Sequence, residues 1–278
     1  ELINFAHGDV FMVGSFVALI SLQLLGATAK LEGWYLVAVL VGVGLVAMVF
    51  CGLLGIVIER VAYRPLRNAP KLAPLISAIG VSLFLEDAAK LRFGNNFVGF
   101  PAIFPLVKIN VGGVEVQLLD LIVLVISVGL MIALSTLINR TKIGRAMRSV
   151  AQDREAASLM GVDVDRTIVI TFFIGASLAG AAGFIYGMEL HQTSYIAGFQ
   201  IGLIAFTAAV LGGIGNVTGA MLGGFLIGLI NAVVPVIGLR WPGLQASRWN
   251  EAIIFGILIL ILVFKPTGLL GQRVPDKV

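Results

Sequence analysis

The sequence has 278 residues, 59% of them hydrophobic and only 12% charged, with a mean hydropathy of +1.03 and a formal net charge of +4. So little charge cannot cover the surface of a water-soluble domain of this length, which excludes that class and specifies a polytopic membrane protein. The basic residues fall between apolar stretches and form no nucleic-acid-binding patch.

The chain opens at Glu1 and runs directly into Leu2-Ile3-Asn4-Phe5 without a basic n-region, and the expectation is that this segment is not a signal peptide. The expectation is that at least one further span precedes it. A bilayer core asks for about 20 apolar residues per helix, and eight stretches meet or approach that, at about 9–29, 35–58, 72–90, 118–139, 167–188, 200–214, 218–238 and 251–265. Cys51 lies inside the second, without a partner for a disulfide or a metal, and reads as a small buried apolar residue. Between the third and fourth, Pro101, Pro105 and the Asn110-Val111-Gly112-Gly113 turn signal predict a small hairpin in an external connector.

The loop at 140–166 carries Arg140, Lys142, Arg145, Arg148, Arg154 and Arg166. Placing it in the cytoplasm puts 59–71 and the tail after Lys265 there too, with thirteen of the nineteen Lys and Arg on that side. The positive-inside rule then predicts a cytoplasmic C-terminus. Within the loop, Arg145, Arg148 and Gln152 fall on one helical face, a basic surface suited to anionic lipid headgroups. A second short helix follows, with Asp153 as its N-cap, Glu155 in its first turn, Gly161 as a left-handed stop, and Asp163 as the cap of the next membrane helix. The Ala156-Ala157 pair would let that helix sit closely in a partner's groove.

Toward the C-terminus, Leu211-Gly212-Gly213-Ile214-Gly215-Asn216 interrupts an apolar run, which predicts a broken or re-entrant segment surrounded by protein or lining a cavity. Gly175, Ala179, Gly183 and Gly187 form a stripe of small residues, as do Gly215, Gly219 and Gly223, and these read as helix-packing surfaces. Polar groups at membrane depth are costly, about 2.5–3.5 kcal/mol for a charge at the helix centre, so they need partners or a cavity. Asn4 and His7, together with Thr207, Asn216 and Thr218 around the glycine-rich break, are the candidate solute-pathway residues. Asp9 reads as a helix cap and Asn231 as an interhelical hydrogen-bonding group. No catalytic constellation and no metal-ligand cluster is expected, since His7 has only His191 as a companion.

Glu155-Ala156-Ala157 with Gly161 resembles the coupling motif of ABC-importer permeases, although the Leu-Pro that usually closes that motif is absent after Ile168 and Ile170. Further segments extend the likeness over nearly the whole chain. They are Ile3-Asn4-Phe5-Ala6-His7-Gly8-Asp9, Glu59-Arg60-Val61-Ala62-Tyr63-Arg64-Pro65-Leu66-Arg67, Leu75-Ile76-Ser77-Ala78-Ile79-Gly80, the run from Ala205 to Gly215, and Lys265-Pro266-Thr267-Gly268-Leu269-Leu270-Gly271. Together they resemble the LivH-type permeases of branched-chain amino acid importers. The resemblance implies an all-α polytopic membrane bundle, a single permease domain over 1–278 with a cytoplasmic coupling loop at 140–166, in a bacterial inner (plasma) membrane. It implies ATPase coupling through Arg154, Glu155, Ala156, Ala157 and Gly161. The implied partners are a second permease subunit, two cytoplasmic ABC ATPases and a periplasmic or other extracytoplasmic substrate-binding protein, within membrane lipid. No Gly-x-x-x-x-Gly-Lys-Ser/Thr loop occurs in the sequence, so ATP and Mg would be bound by the partner subunits and this chain is expected to carry no cofactor. Urea or amide permeases also resemble the chain, and an ATP-independent secondary transporter or channel is the alternative from another class.

Overall fold

The computed structural model describes residues 4, 6–27, 30–67, 69–70, 72–105, 107–240, 249–265 and 267–271, and every structural statement concerns these. Of the basic residues assigned to one side of the membrane or the other, Lys71, Arg248, Arg273 and Lys277 lie outside them. The described chain divides into two compact units, Glu1–Gly202 and Leu203–Val278.

The first unit begins with α1 (His7–Leu24) and α2 (Gly33–Ile58), which continues into a π-helical turn (Glu59–Tyr63) and a 3₁₀ turn (Arg64–Leu66). Then come α3 (Leu72–Phe93), the short strand β1 (Val98–Gly99), the strands β2 (Lys108–Val111) and β3 (Val114–Gln117), and α4 (Leu118–Arg140). Two short helices, α5 (Lys142–Gln152) and α6 (Arg154–Leu159), lead to α7 (Val164–Leu190), β4 (Gln192–Thr193) and the start of α8 (Ala197–Gly212). The second unit holds the rest of α8, α9 (Val217–Arg240) and α10 (Asn250–Phe264). Six of the described helices, α1, α2, α3, α4, α7 and α9, are long and apolar enough to cross a membrane, while α8 and α10 are shorter apolar helices of 16 and 15 residues.

The first unit is organised on α7, which packs most extensively against α2 and α1. Polarity cannot tell the two sides of such helices apart, because both sides are apolar. Burial at a spacing of four does so instead. Along α2 the inward stripe is Val39, Val43, Ala47 and Cys51, every fourth residue, while Val41, Leu45, Val49 and Leu53 face outward. Cys51 is fully buried, its Sγ 3.5 Å from the Val10 carbonyl, as its apolar setting predicts. Backbones touch where the small residues meet. A Cβ on Gly14 of α1 would stand 2.6 Å from the Gly180 Cα of α7, and one on Gly187 would stand 2.6 Å from the Phe100 ring. The small-residue stripe of α7 is therefore a packing surface, with Ala179, Gly183 and Gly187 buried.

The hairpin predicted after Pro105 is present as β2–β3, with Gly112 and Gly113 at φ 61° and 91° and the Gly113 amide donating to Asn110 Oδ1 at 2.9 Å. β1 pairs antiparallel with β4, Val98 opposite Thr193, and Thr193 is fixed from the other side by a 2.6 Å hydrogen bond with Ser15 of α1. In the second unit Gly219 and Gly223 of α9 pack against the backbone at Gly212 and Ala208. Asn231 accepts from Asn250 Nδ2 at 2.6 Å, the interhelical bond expected of it.

Candidate functional site

The connector between α4 and α7 is built from local capping. The Asp153 carboxylate accepts the amides of Glu155 and Ala156 at 3.0 and 3.1 Å, which starts α6. Gly161, at φ 80°, stops it, and the Val162 amide closes back on the Ala157 carbonyl at 3.0 Å. Asp163 Oδ1 then accepts the Arg166 amide at 2.9 Å and starts α7. All three caps were legible in the sequence.

The direction of the side chains was not. Ala157 is buried against the chain's own fold, so of the alanine pair only Ala156 faces outward, beside Arg154 and Glu155. The outward tip is instead Leu159 and Met160, 89% and 84% exposed. Leu159 ends the six-residue helix and Met160 is its C-cap, so both stand at its tip, next to the Gly161 stop. The signal was present in the sequence as an apolar pair directly before the glycine stop. On α5, Arg148 is drawn back onto the chain itself, where its guanidinium donates to the Ile138 carbonyl at the end of α4, while Arg145 remains exposed.

A second polar group of residues gathers where α1 begins. Asn4 Oδ1 accepts the Ala6 amide at 3.1 Å and the Tyr63 hydroxyl at 2.8 Å. His7 is exposed on this chain and stands beside Gly175, where an added Cβ would lie 3.7 Å from its ring. Gly175 is eleven residues past Val164, about 16 Å along the helix axis. α1 therefore starts well inside the depth spanned by α7. The beginning of α8 meets it there, since Gly8, Gly198 and Gly202 are in backbone contact. Asp9 does not cap α1, because the helix starts two residues earlier at His7. Its carboxylate is 1% exposed, takes the Ser82 hydroxyl of α3 on Oδ2, and leaves Oδ1 without a partner against Gly198.

Tyr63 belongs to the π turn, and so does Glu59, whose side chain is wholly buried. Arg67 pairs with Glu59 Oε1 through one guanidinium nitrogen and with Asp165 Oδ1 through another. Arg64 takes Asp165 Oδ2. Removing Arg67 would strand the buried Glu59 carboxylate at a cost of about 3–5 kcal/mol, whereas the half-exposed Arg64–Asp165 pair is worth about 0.2–1 kcal/mol.

At the glycine-rich segment, α8 runs through Gly212 and the break is a turn, with Gly213 and Gly215 at φ 110° and 89°. Asn216 is committed on both ends. Its Oδ1 accepts the Gly219 amide at 3.0 Å, and its Nδ2 donates to the Leu270 carbonyl at 2.9 Å. Thr207 is fully buried and bonds back to the Leu203 carbonyl, and Thr218 is exposed in the first turn of α9. Thus Asn4 and His7 stand together, Asn216 and Thr218 lie near each other in the second unit, and no described group of His, Cys, Asp and Glu is arranged to hold a metal ion.

Comparison with known proteins extends over the same chain. The family described as "Branched-chain amino acid transport system / permease component" matches residues 1–263. The chain is 38% identical to the high-affinity branched-chain amino acid transport system permease protein BraD of Pseudomonas aeruginosa, over 100% of this chain and 88% of that protein. It is 38% identical to LivH of Escherichia coli K12 with the same coverage, and 27% identical to a probable LivH of Methanocaldococcus jannaschii over 96% of this chain and 82% of that one. No solved structure matches. With the polytopic helices, the match along the full chain establishes that this protein belongs to the branched-chain amino acid transport permease family.

Proposed function

We propose that this chain is a membrane permease subunit of an ATP-driven importer that carries branched-chain amino acids inward. Its partners in this reading are a second permease, two cytoplasmic ABC ATPases that bind the ATP and Mg, and an extracytoplasmic substrate-binding protein. The membrane is the bacterial plasma membrane, with the α4–α7 connector and the C-terminus on the cytoplasmic side. Beyond the family membership, the observation that carries the reading is the α6 tip, a rigidly capped short helix on a basic connector that offers Leu159 and Met160 to a partner.

The direct test is co-purification of the chain with its candidate ATPases, with Arg154–Gly161 intact or replaced by a Gly/Ser linker. ATPase retained by the intact chain and lost from the linker variant supports the reading. Equal retention, or none in either case, makes the segment a connector and turns attention to ATP-independent transport. Within the complex, Asn4 and His7 are the proposed pathway residues, at the start of a helix well inside the depth of α7. Asn4→Ala and His7→Ala are expected to lower leucine uptake into proteoliposomes several-fold with assembly intact, a loss on the order of 1 kcal/mol. Uptake at the wild-type rate in both would remove them from the pathway. Asn216→Ala is expected to lower stability as well, because a helix cap worth about 1 kcal/mol goes with the side chain.

A further inference from the structure

Polar contacts and short chain segments together link the α6 connector to the start of α1. α6 passes into α7 with little slack, since the Val162 amide closes on Ala157 and Asp163 caps the first turn of α7, which contains Asp165. The two Asp165 oxygens hold Arg64 and Arg67, and Arg67 reaches on to Glu59 in the π turn. The same turn ends in Tyr63, whose hydroxyl donates to Asn4 Oδ1, three residues before His7, where α1 begins. Ser77 of α3 pins the turn by donating to the Ala62 carbonyl at 2.9 Å.

We propose that Glu59, Arg67 and Asp165 are positioning residues that transmit movement of the α6 connector to the start of α1, with the π turn as the element that changes state. Transmission needs an element with two arrangements, not only a chain of contacts. A π turn supplies one, because it holds an extra residue that a shift of one hydrogen-bond register returns to α-helix. Glu59 supplies the second requirement. It is fully buried, yet its Oε2 has no hydrogen-bond partner, so an acceptor stands ready for a guanidinium that moves. Asp165 lies at the opposite extreme, half-exposed at the head of α7, where the pull of the connector arrives first.

The proposal rests on the reading of the chain as an ATP-coupled permease, and the experiment separates the two. The whole complex is reconstituted in proteoliposomes with its binding protein, and ATPase association, ATP hydrolysis and leucine uptake are measured on the same preparations. Failure of the wild-type chain to hold the ATPases would overturn the functional reading itself. With association established, the Glu59→Gln/Arg67→Gln double variant removes both charges of the pair together, and Tyr63→Phe removes one hydroxyl. Both are expected to retain the ATPases and to hydrolyse ATP within about twofold of wild type, while solute moved per ATP falls about tenfold in the double variant and about threefold in Tyr63→Phe. Unchanged uptake per ATP in both variants, a parallel fall of hydrolysis and uptake, or loss of assembly in the double variant would each make the cluster a brace and overturn the proposal.

Discussion

Replacing Leu159 and Met160 together by glutamate is expected to strip the ATPases from the permease and abolish ATP-driven uptake, without disturbing the permease's own fold. Both side chains stand almost free of their own chain, so the folded subunit loses next to nothing on their replacement. Docking is another matter. Covering each side chain is worth about 1.5–3 kcal/mol, so losing both weakens the interface by about a hundredfold or more. The added carboxylates would also have to be desolvated. Co-purification and ATPase activity at matched expression read the effect directly. The control is Lys108→Gln/Glu115→Gln in the hairpin, outside the connector, where loss of an exposed pair is expected to leave association unchanged. Undiminished co-purification of the Leu159→Glu/Met160→Glu variant would place the ATPase contact elsewhere on the chain.

The second large effect lies in the core of the first unit. Gly14→Leu, or Gly180→Leu, is expected to cut the yield of folded, detergent-soluble protein by about tenfold or more. A Cβ at Gly14 would come within 2.6 Å of Gly180 Cα, and one at Gly180 within 2.9 Å of Cys51 Cβ, so α1, α2 and α7 would have to separate. Overpacking by a few methylenes costs about 1–3 kcal/mol or more, and here it falls on backbone that cannot swing aside. Gly42→Leu and Gly129→Leu serve as matched controls, because nothing stands within 4 Å of a Cβ at either position. Size-exclusion profiles of the four variants should divide two and two. A monodisperse peak at full yield for Gly14→Leu would mean that the crossing is looser than the geometry requires.

What the sequence made legible were the features whose causes lie within a few residues. Asp153, Gly161 and Asp163 mark helix ends because a cap is a local bond, and Gly112-Gly113 marks a hairpin because only a positive φ fits the turn. The apolar spans were readable for the same reason, since length and hydropathy are properties of a contiguous stretch. What was not legible depends on tertiary contacts that no local pattern reveals. Asp9 looked like a cap because Ser82, its actual partner, is 73 positions away, and nothing near Asp9 reveals it. Ala157 looked available because the face an isolated helix presents is settled only when α5 and α7 close on it. The ion cluster joins residues about a hundred positions apart, Arg64 and Arg67 with Asp165, and its sole local trace was a glutamate, Glu59, ending an apolar run. Asn216 stood out beside a glycine break, but the Leu270 carbonyl that it holds belongs to the last described loop.

Sealing Cys51 of α2 against α1 and α7 has a chemical consequence. The thiol is fully buried and it is the sequence's one cysteine, so maleimides and spin-label reagents should find no native target in the folded protein. A cysteine introduced at Leu159, at His7 or in the hairpin would then be the sole reactive sulfur in the subunit. The permease thus offers a silent background for site-directed labelling, in which distances and accessibilities can be followed through the transport cycle with the core left as it is.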